Sequence, residues 1–214
     1  LASGWQVKAL FGTADFLDCY PDACAVAELC HPSTASELEH VGTFTSNNAA
    51  LAVVAIPAQQ QFSETANSWT LVLDNVNDPG NLGTIIRIAD WYGIKQILCS
   101  SDTVDVFNPK VIASAKGSFL RVQLHYGDLA TWLQTAKQPV LGAFLGGDNV
   151  HQLPMRATGG YVVLGNEANG ISPAIAAHIQ QRITIPAFGD AESLNVGIAC
   201  AVIVDNLKRI TAAV

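Results

Sequence analysis

From residue 69 onward the chain alternates short apolar runs with stretches of helical periodicity. Residues 70–73, 96–98, 140–144, 161–164 and 182–185 read as strands, and the sequence between them is long enough for covering helices. This alternation predicts an α/β fold built on a mainly parallel sheet covered by helices. Ligands in such sheets bind where strands end and loops lead into helices. Three loops therefore hold the functional interest: DNVNDPGN after Leu73, GNEANGIS after Leu164 and PAFGDAESLN after Ile185.

The earlier part of the chain is different. Apolar segments at 7–11, 23–29 and 51–56 are broken by polar turns, a small α/β pattern, and the polar stretch AQQQFSETANS at 58–68 reads as a linker. The expected organisation is a small domain at 1–57, a linker at 58–68 and a larger domain at 69–214. With 214 residues and half of them apolar, both parts can bury a core. The longest apolar run, 196–204, is too short to cross a bilayer, and no basic-then-apolar leader opens the sequence, so a soluble cytoplasmic protein without membrane contact is expected. The first residue is Leu1, and further sequence is expected upstream of it.

Five cysteines without a CxxC pair predict buried, reduced thiols, and five histidines at no ligand spacing predict no metal site. Net charge is −7. Residues 1–67 hold one base, Lys8, against seven acids, whereas residues 68–214 hold ten bases and eleven acids. A phosphate-binding surface is thus not expected from overall charge, and the acidity belongs to the first third.

In the first loop, Pro79 and Gly80 force a turn and Asn81 is placed to cap the helix that follows. Leu82, Ile85, Ile86 and Ala89 fall on one buried stripe. Arg87 lies off it, on the side of Gly83, Thr84 and Asp90. Alone, this loop reads as a capped helix whose surface Arg87 pairs with Asp90. In the second loop Gly165 and Gly170 bracket Asn166, Glu167, Ala168 and Asn169, so the backbone can turn sharply and approach a ligand. Glu167 is either an exposed turn residue or a carboxylate that anchors main-chain N–H groups. In the third, Pro186 ends a strand and Ser193 sits at an N-cap position before LNVGIACAVIVDNL. That helix is apolar nearly all round, so it needs a cover on each side: the sheet on one, and either more of the same subunit or a second subunit on the other.

Taken together, NDPGNLGTIIRIADWYGI, YVVLGNEANGIS and ITIPAFGDAESLNVGIACAVIVDNLKR resemble the three ordered motifs of the SpoU/TrmH family, SPOUT-class RNA ribose 2′-O-methyltransferases. The resemblance implies a C-terminal trefoil knot, which periodicity cannot reveal and which is rare among folds. It implies S-adenosylmethionine as cofactor, with Leu164, Gly165, Asn166, Glu167, Gly170, Ile185, Ser193 and Leu194 around it. It implies an RNA substrate, tRNA or rRNA, and a homodimer formed through the C-terminal helix. The catalytic set it implies is Arg87, Asn81, Glu167, Ser193 and Asn195: Arg87 either activates the ribose hydroxyl or holds the adjacent phosphate, Asn81 orients the ribose or Arg87, Glu167 braces the loops, and Ser193 and Asn195 complete the polar wall. A guanidinium stays protonated in ordinary settings, which favours the phosphate role. More loosely, the region before Ala58 resembles the L30e-like domain that precedes many members, without its opening strand and helix.

The sequence also departs from the family. Ala187 stands where a methionine is usual, and NPKVIASAKG has Ala113 where the family's NPKVIRAS stretch carries an arginine, though Lys110 and Lys116 remain nearby. A catalytically silent homologue that binds cofactor or RNA is the alternative, but Asn81, Arg87, Glu167 and Asn195 are all retained. Absence of a GxGxxG after any expected strand and of a GxSxG elbow argues against a dehydrogenase or hydrolase.

Overall fold

Apolar runs bounded by turn residues become the strands of two separate sheets, one in each of two compact units, Leu1–Gln59 and Gln60–Val214. The computed structural model describes residues 4–42, 47–58, 61–153 and 158–212.

In the first unit β1 (Val7–Gly12), α1 (Ala14–Cys19), α2 (Pro21–Ala25), β2 (Cys30–Pro32), α3 (Ala35–Val41) and β3 (Ala50–Val54) follow in order. β1 is central, parallel to β2 and antiparallel to β3. Thr13 caps α1, and Thr34 caps α3 in a reciprocal box with Glu37. The apolar segment 23–29 is not one element: it covers the end of α2 and the turn into β2. That turn corrects the cysteine expectation. It brings the Cα atoms of Cys24 and Cys30 to 5.4 Å, inside bridging range, and the two are joined by a disulfide. Cys19 is free and exposed. Cys99 and Cys200 are free and buried as expected, and burial pushes the Cys200 thiol up to about 12.

The second unit contains β4 (Trp69–Leu73), α4 (Pro79–Trp91), β5 (Gln96–Ser100), α5 (Pro109–Ala115), β6 (Gln123–Gly127), α6 (Leu129–Gln134), β7 (Val140–Asn149), β8 (Gly160–Leu164), α7 (Pro173–Ala176), β9 (Gln181–Thr184) and α8 (Val196–Ala212). Its strands lie in the order β6-β5-β4-β8-β7-β9, and every ladder between them is parallel. All five strands expected from the sequence are present. β6 was not expected, because QLHYG is no apolar run and only His125 in it is buried.

Successive residues of β4 face opposite layers, as the strand period requires. Leu71 and Leu73 pack with residues of α4, α5 and α8, whereas Val72 packs with Leu129 and Leu133 of α6 and Ile175 of α7. The later part of the expected linker joins this second layer. Phe62 packs against His125, Trp132 and Tyr161, and the Glu64 carboxylate accepts from the main-chain N–H groups of Lys137 and Gln138. Residues 59 and 60 of that stretch lie outside the described residues.

The strand order positions the site. From β4 the chain runs outward through β5 to β6, then crosses back to build β7, β8 and β9 on the other side. β4 and β8 are therefore neighbours at the switch point, where diverging connections leave a crevice at the carboxyl ends. The first two loops open there side by side, tied where the Asp74 N–H donates to the Leu164 carbonyl at 2.9 Å.

Candidate functional site at the β4–β8 switch point

The turn before α4 is capped by Asp78, not Asn81 as the sequence suggested: Asp78 Oδ1 accepts from the Asn81 N–H at 2.8 Å. Asp78 immediately precedes Pro79, which occupies the first helical position, so it is the residue with extended backbone able to cap. This frees the Asn81 side chain. Its Nδ2 donates to Glu167 Oε1 at 2.7 Å, and its Oδ1 accepts from Asn195 Nδ2 at 2.8 Å. Three loops separated by 86 and 114 residues in sequence are thereby joined through one amide.

The GNEANG loop holds its shape by itself. Asn166 and Gly170 exchange both main-chain hydrogen bonds, at 3.0 and 2.9 Å, and Asn166 Oδ1 accepts from the N–H groups of Ala168 and Asn169. A Cβ on Gly165 would lie 2.2 Å from the Gly170 carbonyl carbon, so only glycine permits the closure, while Gly170 itself has φ +67. Asn166 Nδ2 also donates to the Asn75 carbonyl at 2.8 Å. Glu167 is exposed at the tip and takes a side-chain amide, not the main-chain N–H groups considered as one alternative.

At the third loop Asn195, not Ser193, caps the last helix: its Oδ1 accepts from the N–H groups of Gly197 and Ile198 at 2.9 and 3.3 Å. Asn195 thus does two jobs, capping α8 with its oxygen and reaching Asn81 with its nitrogen. Ser193 is exposed and makes no hydrogen bond with any described residue. Asn81, Glu167 and Asn195 are brought together; Ser193 is on the same loop but outside the bonded set.

Arg87 is set by its helix. Leu82, Ile85 and Ile86 are fully buried, each worth about 1.5–3 kcal/mol relative to exposure, so α4 cannot rotate and Arg87 stays outward. It does not pair with Asp90. Arg121 takes that carboxylate with Nε and Nη2, at 2.9 and 2.6 Å, and holds its carboxyl below the usual aspartate range. The Arg87 side chain makes no hydrogen bond or ion pair with a described residue. It lines a groove of about 750 Å³ between α4 and α8, with Thr84, Trp91, Lys116, Arg121 and Ile198 among its walls. A Cβ on Gly197 would meet the Thr84 methyl at 3.2 Å, which shows how closely the two helices approach.

Two residues that sequence reasoning passed over support the first two loops. The Asp74 carboxylate, buried just past β4, accepts from the Ser172 N–H at 2.7 Å. Asn75, at φ +61, donates its N–H to Ser100 Oγ at 2.9 Å. Their signal was an acid and an asparagine directly after the mostly apolar run TLVL, a position where a buried polar group must find a partner.

Around the switch point the chain offers main-chain polar groups and exposed apolar surface. Residues 187–194 are exposed and form no hydrogen bond with any other described residue. Phe188 is 95% exposed and Leu194 50%. Leu164 is buried under the second loop, and Gly165 and Ile185 are half-buried. Unused amides and carbonyls next to uncovered apolar side chains suit a ligand with a flat heteroaromatic ring and a small zwitterionic tail, such as S-adenosylmethionine.

Comparisons with known proteins show the family and the fold of this chain. Residues 68–205 match the SpoU rRNA Methylase family. The chain is 33% identical over 141 residues to the 23S rRNA (guanosine(2553)-2′-O)-methyltransferase RlmP of Bacillus subtilis, covering 64% of this chain and 57% of that one. It is 30% identical over 146 residues to the 23S rRNA (guanosine-2′-O-)-methyltransferase RlmB of Neisseria meningitidis, covering 65% and 57%. The match thus spans little more than half the length of these relatives. A solved structure assigned to the TrmH family, from Porphyromonas gingivalis, shares 36% identity and superposes with a TM-score of 0.84 over 97% of this chain and 84% of that one. The SpoU methyltransferase AviRb of Streptomyces viridochromogenes, solved in complex with AdoMet, has the same fold at 22% identity, with a TM-score of 0.86 over 99% and 86%. With its family match extending over more than half its length, this chain belongs to the SpoU rRNA methylase family.

Proposed function

We propose that this chain is an S-adenosylmethionine-dependent RNA methyltransferase acting on a ribose 2′-hydroxyl of tRNA or rRNA. The observation that carries the reading is the Asn81 amide linking Glu167 and Asn195 across the three family motifs. The two relatives named above act on 23S rRNA, which makes ribosomal RNA the first substrate to test. The cofactor supplies a methyl group carried on a positively charged sulfur. Leu164, Gly165, Asn166, Glu167, Gly170, Ile185, Ser193 and Leu194 hold it, mostly through main-chain atoms, in line with the free polar groups of the third loop. Asn81, fixed at both ends, orients the ribose. Glu167 and Asn195 brace Asn81, and Ser193 adds a hydroxyl to the same wall. Arg87 anchors the phosphate beside the target ribose, so that positioning dominates the rate.

The proposal extends to the rest of the architecture. A trefoil knot in the C-terminal segment is supported by two features: Ile183 pairs with both Ala143 and Asp148 across the excursion at 144–147, and the chain then travels from edge strand β9 back to Asn81. The three-stranded unit at the start is read as a partial L30e-like domain. A homodimer through α8 accounts for Ile198, which is 53% exposed on an otherwise largely buried helix. No described helix is long and apolar enough to cross a membrane, and an RNA substrate puts the enzyme in the cytoplasm.

Labelled S-adenosylmethionine and RNA from cells lacking the gene test this reading. Wild type is expected to incorporate methyl groups and Arg87→Ala to lose at least about 100-fold, the scale of a misplaced reactant. Equal incorporation by both would remove Arg87 from the site.

A further inference from the structure

Asn75 has a left-handed backbone, at φ +61, in the turn that leaves β4. Asparagine enters that region more readily than most residues, but it remains a minority conformation that the surroundings have to hold. The hold comes from the end of β5, outside the three loops of the site. Ser100 Oγ accepts from the Asn75 N–H at 2.9 Å, Thr103 Oγ1 donates to the Leu73 carbonyl at 3.2 Å, and the Val104 N–H donates to the Val76 carbonyl at 3.1 Å. Residues 73–76 are thus gripped at three of their peptide groups by one short segment, 100–104. The two hydroxyls lie 3.0 Å apart, and counting protons fixes their direction. Each has one hydrogen to give. That of Thr103 goes to Leu73, so Ser100 donates to Thr103 and keeps its oxygen for Asn75. A ring of hydrogen bonds runs from the Asn75 N–H through Ser100 and Thr103 to the Leu73 carbonyl, and its links polarise one another. Thr103 is buried, so water does not readily replace a lost hydroxyl there.

What the ring controls is the other side of Asn75. Its carbonyl accepts from Asn166 Nδ2 at 2.8 Å, and Asn166 Oδ1 in turn accepts from the N–H groups of Ala168 and Asn169. The backbone angles at Asn75 set where that carbonyl points relative to the N–H that Ser100 holds. A return to negative φ would swing it off Asn166, and the side chain that shapes the second loop would lose its anchor. The end of β5 therefore reaches the GNEANG loop through two asparagines, without touching it through a side chain of its own.

From this we infer that Ser100 is a positioning residue for the cofactor, acting through Asn75 and Asn166 on the main chain of the second loop. The inference rests on the methyltransferase reading above, in which that loop holds S-adenosylmethionine.

The test titrates S-adenosylmethionine calorimetrically into wild type, Ser100→Ala and Ser100→Thr, well below the temperature at which each unfolds. Ser100→Ala is expected to bind the cofactor about three- to tenfold more weakly, the scale of one hydrogen bond between neutral groups. Ser100→Thr keeps the hydroxyl and should restore wild-type affinity. In methyl transfer to RNA from cells lacking the gene, Ser100→Ala should raise the KM for cofactor by the same factor and leave kcat at saturating cofactor unchanged. Should Ser100→Ala fail to fold, Thr103→Val breaks the ring with little change of side-chain shape and is read by the same criteria. Wild-type cofactor affinity in Ser100→Ala, even with a lowered melting temperature, would overturn the inference, as would equal weakening in Ser100→Ala and Ser100→Thr or a loss confined to kcat. If wild type binds the cofactor and Ser100→Ala matches it, only the role of Ser100 falls; a wild type that binds no cofactor removes the reading beneath it as well.

Discussion

Asn81 is the residue on which the site turns. Its amide donates a hydrogen bond to Glu167 and accepts one from Asn195, and no other side chain bonds to both later motifs among the described residues. Because these bonds are exposed, each contributes only about 0.5–1.5 kcal/mol to stability, whereas misplacing a reactant costs far more in rate. Asn81→Ala is accordingly expected to lower unfolding free energy by no more than about 2 kcal/mol yet to slow single-turnover methyl transfer by about 100-fold. Undiminished transfer would mean that the bridge does not organise the site. Little of this was legible in the residues themselves. Asn81 and Ser193 both stand where a helix cap could be, and composition cannot separate them from Asp78 and Asn195, since capping depends on which residue has extended backbone. Only the order of three motifs pointed to Asn81, Glu167 and Asn195 as a set. Likewise Asp90 was expected to take Arg87, its neighbour on α4, and takes Arg121 from 31 residues away.

At the level of elements, α4 is where sequence and structure agree best. Its stripe of Leu82, Ile85, Ile86 and Ala89 is buried throughout, because a 3.6-residue period needs no knowledge of the partner layer. Loop closure was less visible. Gly165 and Gly170 marked a sharp turn, but which glycine is indispensable depends on what its Cβ would strike. Gly165→Ala puts that carbon against main-chain atoms that cannot swing aside, and is expected to destabilise the protein by about 1–3 kcal/mol and to weaken cofactor binding. Calorimetry showing normal cofactor affinity in this variant would detach the loop from the cofactor. The far end of α4 carries a pH-dependent brace. Arg121 lowers the Asp90 pKa, so the pair stabilises the fold fully above the ordinary aspartate range and loses that contribution as pH falls through the lower, folded value. Arg121 is about half exposed, so screening limits the pair to about 0.2–1 kcal/mol. Asp90→Asn should therefore be less stable than wild type by that amount in urea titrations at neutral pH, and the two should converge in acid.

For the whole molecule, the alternation of strands and helices fixed the layer architecture, and the parallel direction followed from it. What it could not convey was strand order. Nothing local says that β8 lies between β4 and β7, yet that adjacency creates the crevice at which the loops meet. β6 escaped notice because a parallel edge strand needs few buried side chains, and the Cys24–Cys30 bridge did so because a short turn, not a CxxC spacing, brings the thiols together. The acids are gathered in the first third of the chain, whereas Arg87, Lys116 and Arg121 lie together in the α4–α8 groove of the second unit. The proposed reaction is methyl transfer to a ribose oxygen, and the chemistry of RNA offers a direct readout of it. A 2′-O-methyl group removes the nucleophile that alkali uses to cleave the neighbouring phosphodiester. Ribosomal RNA labelled by the purified protein and S-adenosylmethionine, then hydrolysed in alkali, should release the label in alkali-resistant dinucleotides; label recovered in mononucleotides, or none incorporated at all, would contradict the account.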